Sequence, residues 1–318
     1  MLQNSFVQLG KTSLRIVYYH LIKSENSEYY FKDKQIDAIE FENQIKFFKK
    51  HYKIIPLNLA IQLAKDGKNL SGYLVITFDD GFVECYELVF NILLKHNIQP
   101  TIFLISDCID NKNLMWRNKL LIINKSSKLD SAVSELCLAE KIDHPKSKNF
   151  SLLNWSINSW KMSEKERYTD LLWEKTQEQS VSEYLERNPV YLSTRQIQEM
   201  SNHGFEFGSH SKTHPRFDKL EQDEIIRELK ASINVIKKII GKEVTSFSYP
   251  FGLCSPPNLE EKINEAINEP LIYLGTKNNL NNKKLSFHWE RDNCEFNFST
   301  MLFRFLLLPQ LRKLKANL

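Results

Sequence analysis

The stretch that decides the fold is ITFDDGF at residues 76–82, an apolar run that stops abruptly at Asp79, Asp80 and Gly81. With Tyr73, Leu74 and Val75 ahead of it, the run is short, bulky and uncharged, as a buried parallel strand requires. Gly81 permits a sharp turn where the chain leaves the sheet. Two adjacent carboxylates at that point repel each other unless a cation, a proton or a positive side chain is shared between them. Taken alone, DDG reads equally as an aspartate capping the next helix, residues 84–96. The balance shifts with HSKTH at residues 210–214.

Working outward, residues 14–22 (LRIVYYHLI) read as a first strand ending near Tyr19 and His20. Residues 38–50 and 57–65 carry helical spacing, the first with Phe41, Ile45 and Phe48 on one face. PTIFLI at 100–105 is a further strand. Strands alternating with helices indicate a parallel sheet or barrel with right-handed crossovers. From about 110 to 190 the alternation is lost, and the spacing predicts a helical insertion anchored by Trp155, Trp160 and Trp173. Ser163 with Glu166 is expected to form a capping box there, and Ser193 with Gln196 another. Strands are then expected at 205–211, 245–250, 272–276 and 286–290, with a long helix at 221–240 and a Ser255–Pro256 helix start.

Composition narrows the function. A net charge of +4 over 318 residues, with no aromatic-and-basic stripe, argues against nucleic acid as partner. The five cysteines are scattered and include no CxxC, so reduced thiols are expected. The first twenty residues show neither a sustained apolar core nor a small-residue cleavage site, and no apolar run is long enough to span a bilayer. The expectation is therefore a cytoplasmic protein.

On the strand at 205–211, Glu206, Gly208 and His210 alternate with the phenylalanines, and His214 follows four residues after His210. Two histidines and a carboxylate at equivalent strand ends can hold a divalent metal with positions left open. Taken alone, HxxxH reads as two solvated histidines, and SYPFG at 248–252 as a turn after a strand.

Together, TFDDG, HSKTH and SYPFG, in that order, resemble the polysaccharide deacetylases of carbohydrate esterase family 4, the NodB-homology fold. YYH, FKKHYKIIPLNLA, IQPTIFLI and YLSTRQIQEMSNHGFEFGSHSKTH fit the same pattern, so the resemblance spans most of the chain outside the insertion and tail. It implies a distorted (β/α) barrel with one divalent metal, Zn2+ by default and Co2+, Ni2+ or Mn2+ as alternatives. Asp80, His210 and His214 would be its ligands, Asp79 the general base and the Phe251 N–H an oxyanion donor. Pro250 would fix that turn and Gly252 would let substrate approach.

The sequence departs from the family in two places. Many members carry an arginine where Ser248 stands; Arg291 reads either as its replacement beside Asp79 or, with Glu290, as surface charge. The family's late Leu-x-His is not evident, and His288 is the nearest candidate for the general acid or else a packed histidine. The implied activity is removal of an N-acetyl group from a sugar of a surface-polysaccharide, nucleotide-linked or lipid-linked precursor. The alternatives are a deformylase or other N-acyl hydrolase, and a degenerate saccharide-binding member. The tail, residues 296–318, gathers Phe298, Met301, Leu302, Phe305, Leu306, Leu308 and Leu311 with Arg304, Arg312, Lys313 and Lys315. It reads either as a helix closing the barrel or as a basic amphipathic surface that docks on the inner face of a membrane.

Overall fold

The computed structural model describes residues 13–23, 36–146, 150–252, 259–268, 270–277, 281 and 287–307. Strand β1 (Arg15–Tyr19) pairs in parallel with the TFDD strand, β3 (Tyr73–Phe78), in the register Val17 opposite Ile76. Between them lie helix α1 (Ala38–His51), the short strand β2 (Lys53–Ile54) on the edge of β3, and α2 (Leu57–Lys65). Asp37 caps α1 by accepting from the Glu40 amide, and the turn at Asp66 and Gly67 ends α2. Outward from β3 the sheet continues through β4 (Thr101–Leu104), β5 (Glu206–Ser209), β6 (Ser246–Ser248), β7 (Ile272–Gly275) and β8 (His288–Glu290), all parallel.

The chain then does something a sequence pattern does not announce. β8 pairs with β7, and only Arg291 separates it from β9 (Asp292–Asn293), which pairs with β1 on the other side. One extended segment thus bridges both ends of the sheet and nearly closes a barrel around the side chain of Arg291. Chain closure removes the exposed strand edges that would otherwise have to be covered.

Alternation along the strands separates two packed layers. Ile16, Val75, Phe103, Leu274 and Trp289 fill the barrel interior with Leu57, Ala60 and Ile61 of α2. Val17, Tyr19, Ile76, Phe78, Ile102, Phe207 and Phe247 face outward onto helices, against Phe41, Ile45 and Phe48 of α1. Asn58 of α2 receives its hydrogen bonds from and to the strand starts, its N–H donating to Glu206 and its Oδ1 accepting from Thr245. That end of the barrel is plugged by α2, so the opposite end, where the strands finish, is left for chemistry.

Between β3 and β4 the expected helix forms as a π-helical turn (Cys85–Phe90) running into α3 (Asn91–Lys95). Between β4 and β5 lies a block of helices: α4 (Trp116–Ile123), α5 (Leu129–Glu140), α6 (Leu152–Ser159), α7 (Lys165–Thr176) and α8 (Val181–Arg187). They share a second core with Trp116, Trp155, Trp160 and Trp173. The capping box expected at Ser163 does not form. Helix α7 starts at Lys165, because the Glu166 carboxylate turns to the buried Lys119 ammonium at 3.4 Å and not back to the chain. Ser180 with Glu183, and Ser193 with Gln196 at the head of α9 (Thr194–Asn202), do form reciprocal boxes.

Helix α10 (Gln222–Ile240) follows β5 and is ended by Gly241 in a left-handed conformation. The helix after β6, α11, begins at Leu259 (Leu259–Ile267); the Ser255–Pro256 start lies outside the described residues. The tail opens as α12 (Phe298–Leu302) and continues as a π-helical turn to Leu307. Met301 and Phe305 are buried in the outer core, and Arg15 stacks on the Phe305 ring at 4.7 Å. This part of the tail therefore covers the barrel; residues 308–318 lie outside the described residues. Among the described residues no helix is long and apolar enough to cross a membrane. The described cysteines, Cys85, Cys108, Cys137 and Cys294, are buried free thiols.

Candidate active site

Asp79, His210 and Arg291 each sit just past a strand that finishes at the open end, and the sheet ladder holds their backbones there. The Asp79 N–H donates to the Tyr19 carbonyl at 2.8 Å, the His210 N–H to Leu104 at 2.9 Å, and the Arg291 N–H to Gly275 at 3.2 Å. Beyond those anchors the chain bends hard. Asp80 (φ 70°), Ser211 (φ 69°), His214 (φ 56°) and Phe251 (φ 60°) all occupy the left-handed region that non-glycine residues avoid. Such conformations persist where surrounding contacts fix them, and they gather at functional sites.

Asp80, His210 and His214 come together. One ligand atom from each lies within 4.8 Å of the others, and Asp80 Oδ1 is 3.4 Å from His210 Nε2 and 3.5 Å from His214 Nε2. His210 Nδ1 meets the Ser248 carbonyl at 2.8 Å, which makes that nitrogen the donor and turns Nε2 toward Asp80. Neither Asp80 oxygen makes a hydrogen bond although both are buried, and His214 Nδ1 is likewise unsatisfied. Buried orphaned acceptors are costly unless something occupies the space between them. Burial pushes the His214 imidazole well below its usual range against the pull of Asp80, so it is neutral and can donate a lone pair. Burial alone would raise the Asp80 carboxyl, but His210, His214 and His20 outweigh it and hold it ionised. A carboxylate and two imidazoles, convergent and buried, fit a divalent metal.

Asp79 faces elsewhere. Arg291 grips it with two parallel bonds, Nη1 to Oδ1 and Nη2 to Oδ2, both 2.8 Å. The same guanidinium donates to Ser248 Oγ at 2.6 Å and to Thr77 Oγ1 at 3.1 Å, and it lies over the Tyr18 ring at 4.8 Å. Arg291 and Asp79 are only 1% and 2% exposed, so neither is a surface charge. Burial alone would raise the Asp79 carboxyl; Arg291, with His210 and His20, overrides it and keeps the group ionised.

Phe251 is also brought in. Its ring packs 5.0 Å from that of His214 and 6.0 Å from that of Trp116, with the Arg117 guanidinium at 5.5 Å. Gly252 has a structural requirement of its own. A Cβ built on it, at φ 66°, would lie 1.8 Å from Thr276 Oγ1, so the neighbouring strand end by itself requires the glycine. Gly252→Ala is expected to cost on the order of 1–3 kcal/mol of stability by overpacking in a disallowed conformation, read from denaturant midpoints. An unchanged midpoint would mean the turn opens freely.

His288 is not brought in. It lies on the outward-facing side of β8, stacked on Tyr249, with Nδ1 2.7 Å from Glu260 of α11 and Nε2 3.1 Å from Glu290. Residues 288 and 291 are three apart on an extended chain, so their side chains point to opposite faces, and Arg291 takes the inner one. The acid assigned to His288 is corrected on that ground.

A different histidine stands at the open end. His20 follows β1 directly, and its Nδ1 meets Glu295 Oε2 at 2.9 Å while its own N–H donates to Glu295 Oε1 at 2.7 Å. Burial lowers its pKa, but Glu295, Asp80 and Asp79 outweigh that and raise it to about 9. His20, Tyr18, Asn293 and Phe251 are partly exposed and mark where the site opens. YYH ends the first strand as TFDD ends the third, and that parallel was the available signal. The pairing with Glu295 was not, since it spans 275 residues.

Comparison with known proteins agrees with this geometry. The family model described as polysaccharide deacetylase matches residues 66–266, from the end of α2 into the last turn of α11. The chain belongs to the polysaccharide deacetylase family. It is 30% identical over 109 residues to Bacillus subtilis (strain 168) YxkH, covering 34% of this chain and 37% of that protein. The chain thus matches little more than a third of that relative's length. Among solved structures, it resembles IcaB from Ammonifex degensii (TM-score 0.57, 16% identity, 89% of this chain and 91% of that one). It resembles as well the Streptococcus pyogenes deacetylase PplD, solved with acetate (TM-score 0.56, 14% identity, 89% and 92%). At these identities the likeness is one of fold, the nearly closed (β/α) barrel.

Proposed function

We propose that this deacetylase-family chain is a metal-dependent N-deacetylase acting on an N-acetylated saccharide. The observation that carries the reading is the pair of adjacent aspartates turned to different tasks: Asp80 to two buried histidines, Asp79 to a buried arginine. A divalent ion on Asp80, His210 and His214 would acidify water and polarise the acyl oxygen; zinc is the default for this donor set, with cobalt, nickel or manganese compatible. Asp79, ionised and oriented by Arg291, takes the proton from the attacking water. The Phe251 N–H donates to the acyl oxygen as negative charge develops on it. His20, held protonated by Glu295, gives its proton to the departing amine nitrogen, so that acetate and a free amino sugar result.

The test is release of carboxylate from a panel of saccharides bearing N-acetyl or N-formyl groups, free and nucleotide- or lipid-linked, by protein stripped of metal and reloaded. Metal-dependent acetate release is the expected outcome. Formate in place of acetate would reassign the acyl group, and no release from any member by the loaded protein would overturn the reading.

The role of His20 has its own signature. A general acid must be protonated, and a pKa raised to about 9 keeps it so below that pH, with activity lost as pH rises through it. Glu295→Gln removes the group that does most to hold the proton on. The alkaline limb of kcat/KM is expected to move to lower pH in that variant, and an unmoved limb would assign it to another group.

A further inference from the structure

His214 is the one metal-ligating candidate held on a loop with no strand beneath it, and two of that loop's residues, Ser211 and His214, are left-handed. A non-glycine residue in that region brings its Cβ close to the following carbonyl oxygen and is disfavoured. Something must hold it. Part of the hold is local: the His214 N–H donates to Ser211 Oγ at 2.9 Å, and Glu228 of α10 accepts from the Lys212 and Thr213 amides at 2.9 and 2.8 Å.

The rest comes from the helical block inserted between β4 and β5. The indole N–H of Trp116, at the first residue of α4, donates to the His214 carbonyl at 2.9 Å. The ammonium of Lys165, at the first residue of α7, donates to Thr213 Oγ1 at 2.9 Å, and that hydroxyl passes the chain on to Glu228 Oε1 at 2.7 Å. Trp116 is fully buried and Lys165 only 5% exposed. Burying an ammonium is costly unless it is partnered, and here it has a hydrogen bond on the ligand loop and the Glu166 carboxylate at 3.9 Å.

We propose that Trp116 and Lys165 are positioning residues for the metal centre, setting His214 from outside the barrel, so that the helical insertion governs metal affinity. This rests on the reading that Asp80, His210 and His214 hold the ion. Groups that orient a ligand from behind typically change affinity 10–100-fold when removed.

The block supplies its own matched control. Trp173 is as buried as Trp116, and its indole N–H also donates to a carbonyl, but to Gln179 within the block, at 2.8 Å. The experiment uses the full chain, stripped of metal, and measures the zinc dissociation constant by competition with a chromogenic chelator alongside the melting temperature of the stripped protein. Trp116→Phe and Lys165→Met are expected to weaken zinc about 10–100-fold. Trp173→Phe is expected to lower the melting temperature while leaving zinc affinity unchanged, and Lys165→Arg to retain more affinity than Lys165→Met. Wild-type affinity in Trp116→Phe, or an equal loss in Trp173→Phe, would overturn the proposal. Should Trp116→Phe fail to fold, equal affinities for Lys165→Met and wild type would do the same. A wild-type protein that takes up no zinc, nor cobalt, nickel or manganese, would fail the metal site itself, which separates that result from a failure of the positioning role.

Discussion

Asp79→Asn is expected to keep its metal and lose turnover by about two to four orders of magnitude. The amide is nearly isosteric with the carboxylate, so the fold and the Asp80, His210 and His214 set should survive. What is lost is the basic oxygen. The buried Arg291 guanidinium would then face an amide that offers one acceptor in place of two, where the wild type makes two bonds of 2.8 Å. Metal content by elemental analysis, beside kcat on the saccharide identified as substrate, checks the division of labour. A variant that loses its metal would make Asp79 a ligand, and one that keeps full turnover would place the base elsewhere.

Arg291→Met is expected to cost about 3–5 kcal/mol of stability at neutral pH, because it leaves the Asp79 carboxylate buried and unpaired. Ser248 Oγ and Thr77 Oγ1 lose a partner in the same change. The sign of its pH dependence follows from the carboxylate. In the wild type, Arg291 holds the Asp79 pKa below its ordinary value, so the pair's stabilisation is present above the unfolded carboxylate pKa and fades as pH falls through the folded one. In the variant burial is opposed only by His210 and His20, so that pKa rises relative to wild type, and the gap to wild type should be widest at neutral pH and narrow on acidification. Urea titrations at neutral and mildly acidic pH measure it. A gap below about 1 kcal/mol, the range of surface pairs, would place Arg291 in solvent contact and break the assignment.

Much of this was legible because the informative residues sit beside strands that declare themselves. The run before Asp79 is apolar but for Thr77, and the alternation at 205–211 places His210 opposite the phenylalanines, so both strand ends follow from period, while the roles assigned there came from the resemblance. Arg291 could be named but not placed from sequence. Its inward direction depends on β8 and β9 being one strand shared between two neighbours, a closure with no local signature. The same closure brings Glu295 to His20, which is why the acid was assigned to His288, a residue whose strand was visible but whose face was not.

Other misses are local rules outbid by tertiary partners. Ser163 and Glu166 have capping-box spacing, yet the Glu166 carboxylate lies with Asp170 against the buried Lys119 ammonium, at 3.4 and 2.7 Å. Gly252 was read as room for substrate, and Thr276 by itself requires the glycine. The apolar tail was open between barrel cover and membrane surface, and Met301 and Phe305 show its described part spent on the barrel.

The central claim is that one divalent ion sits on Asp80, His210 and His214 and not on Asp79. Metal stoichiometry of the purified wild type, His214→Ala and Asp79→Asn, after stripping and reloading with zinc, tests it most directly. About one equivalent in wild type and Asp79→Asn, with none retained by His214→Ala, is the predicted result. Full retention by His214→Ala, or loss from Asp79→Asn, would contradict it.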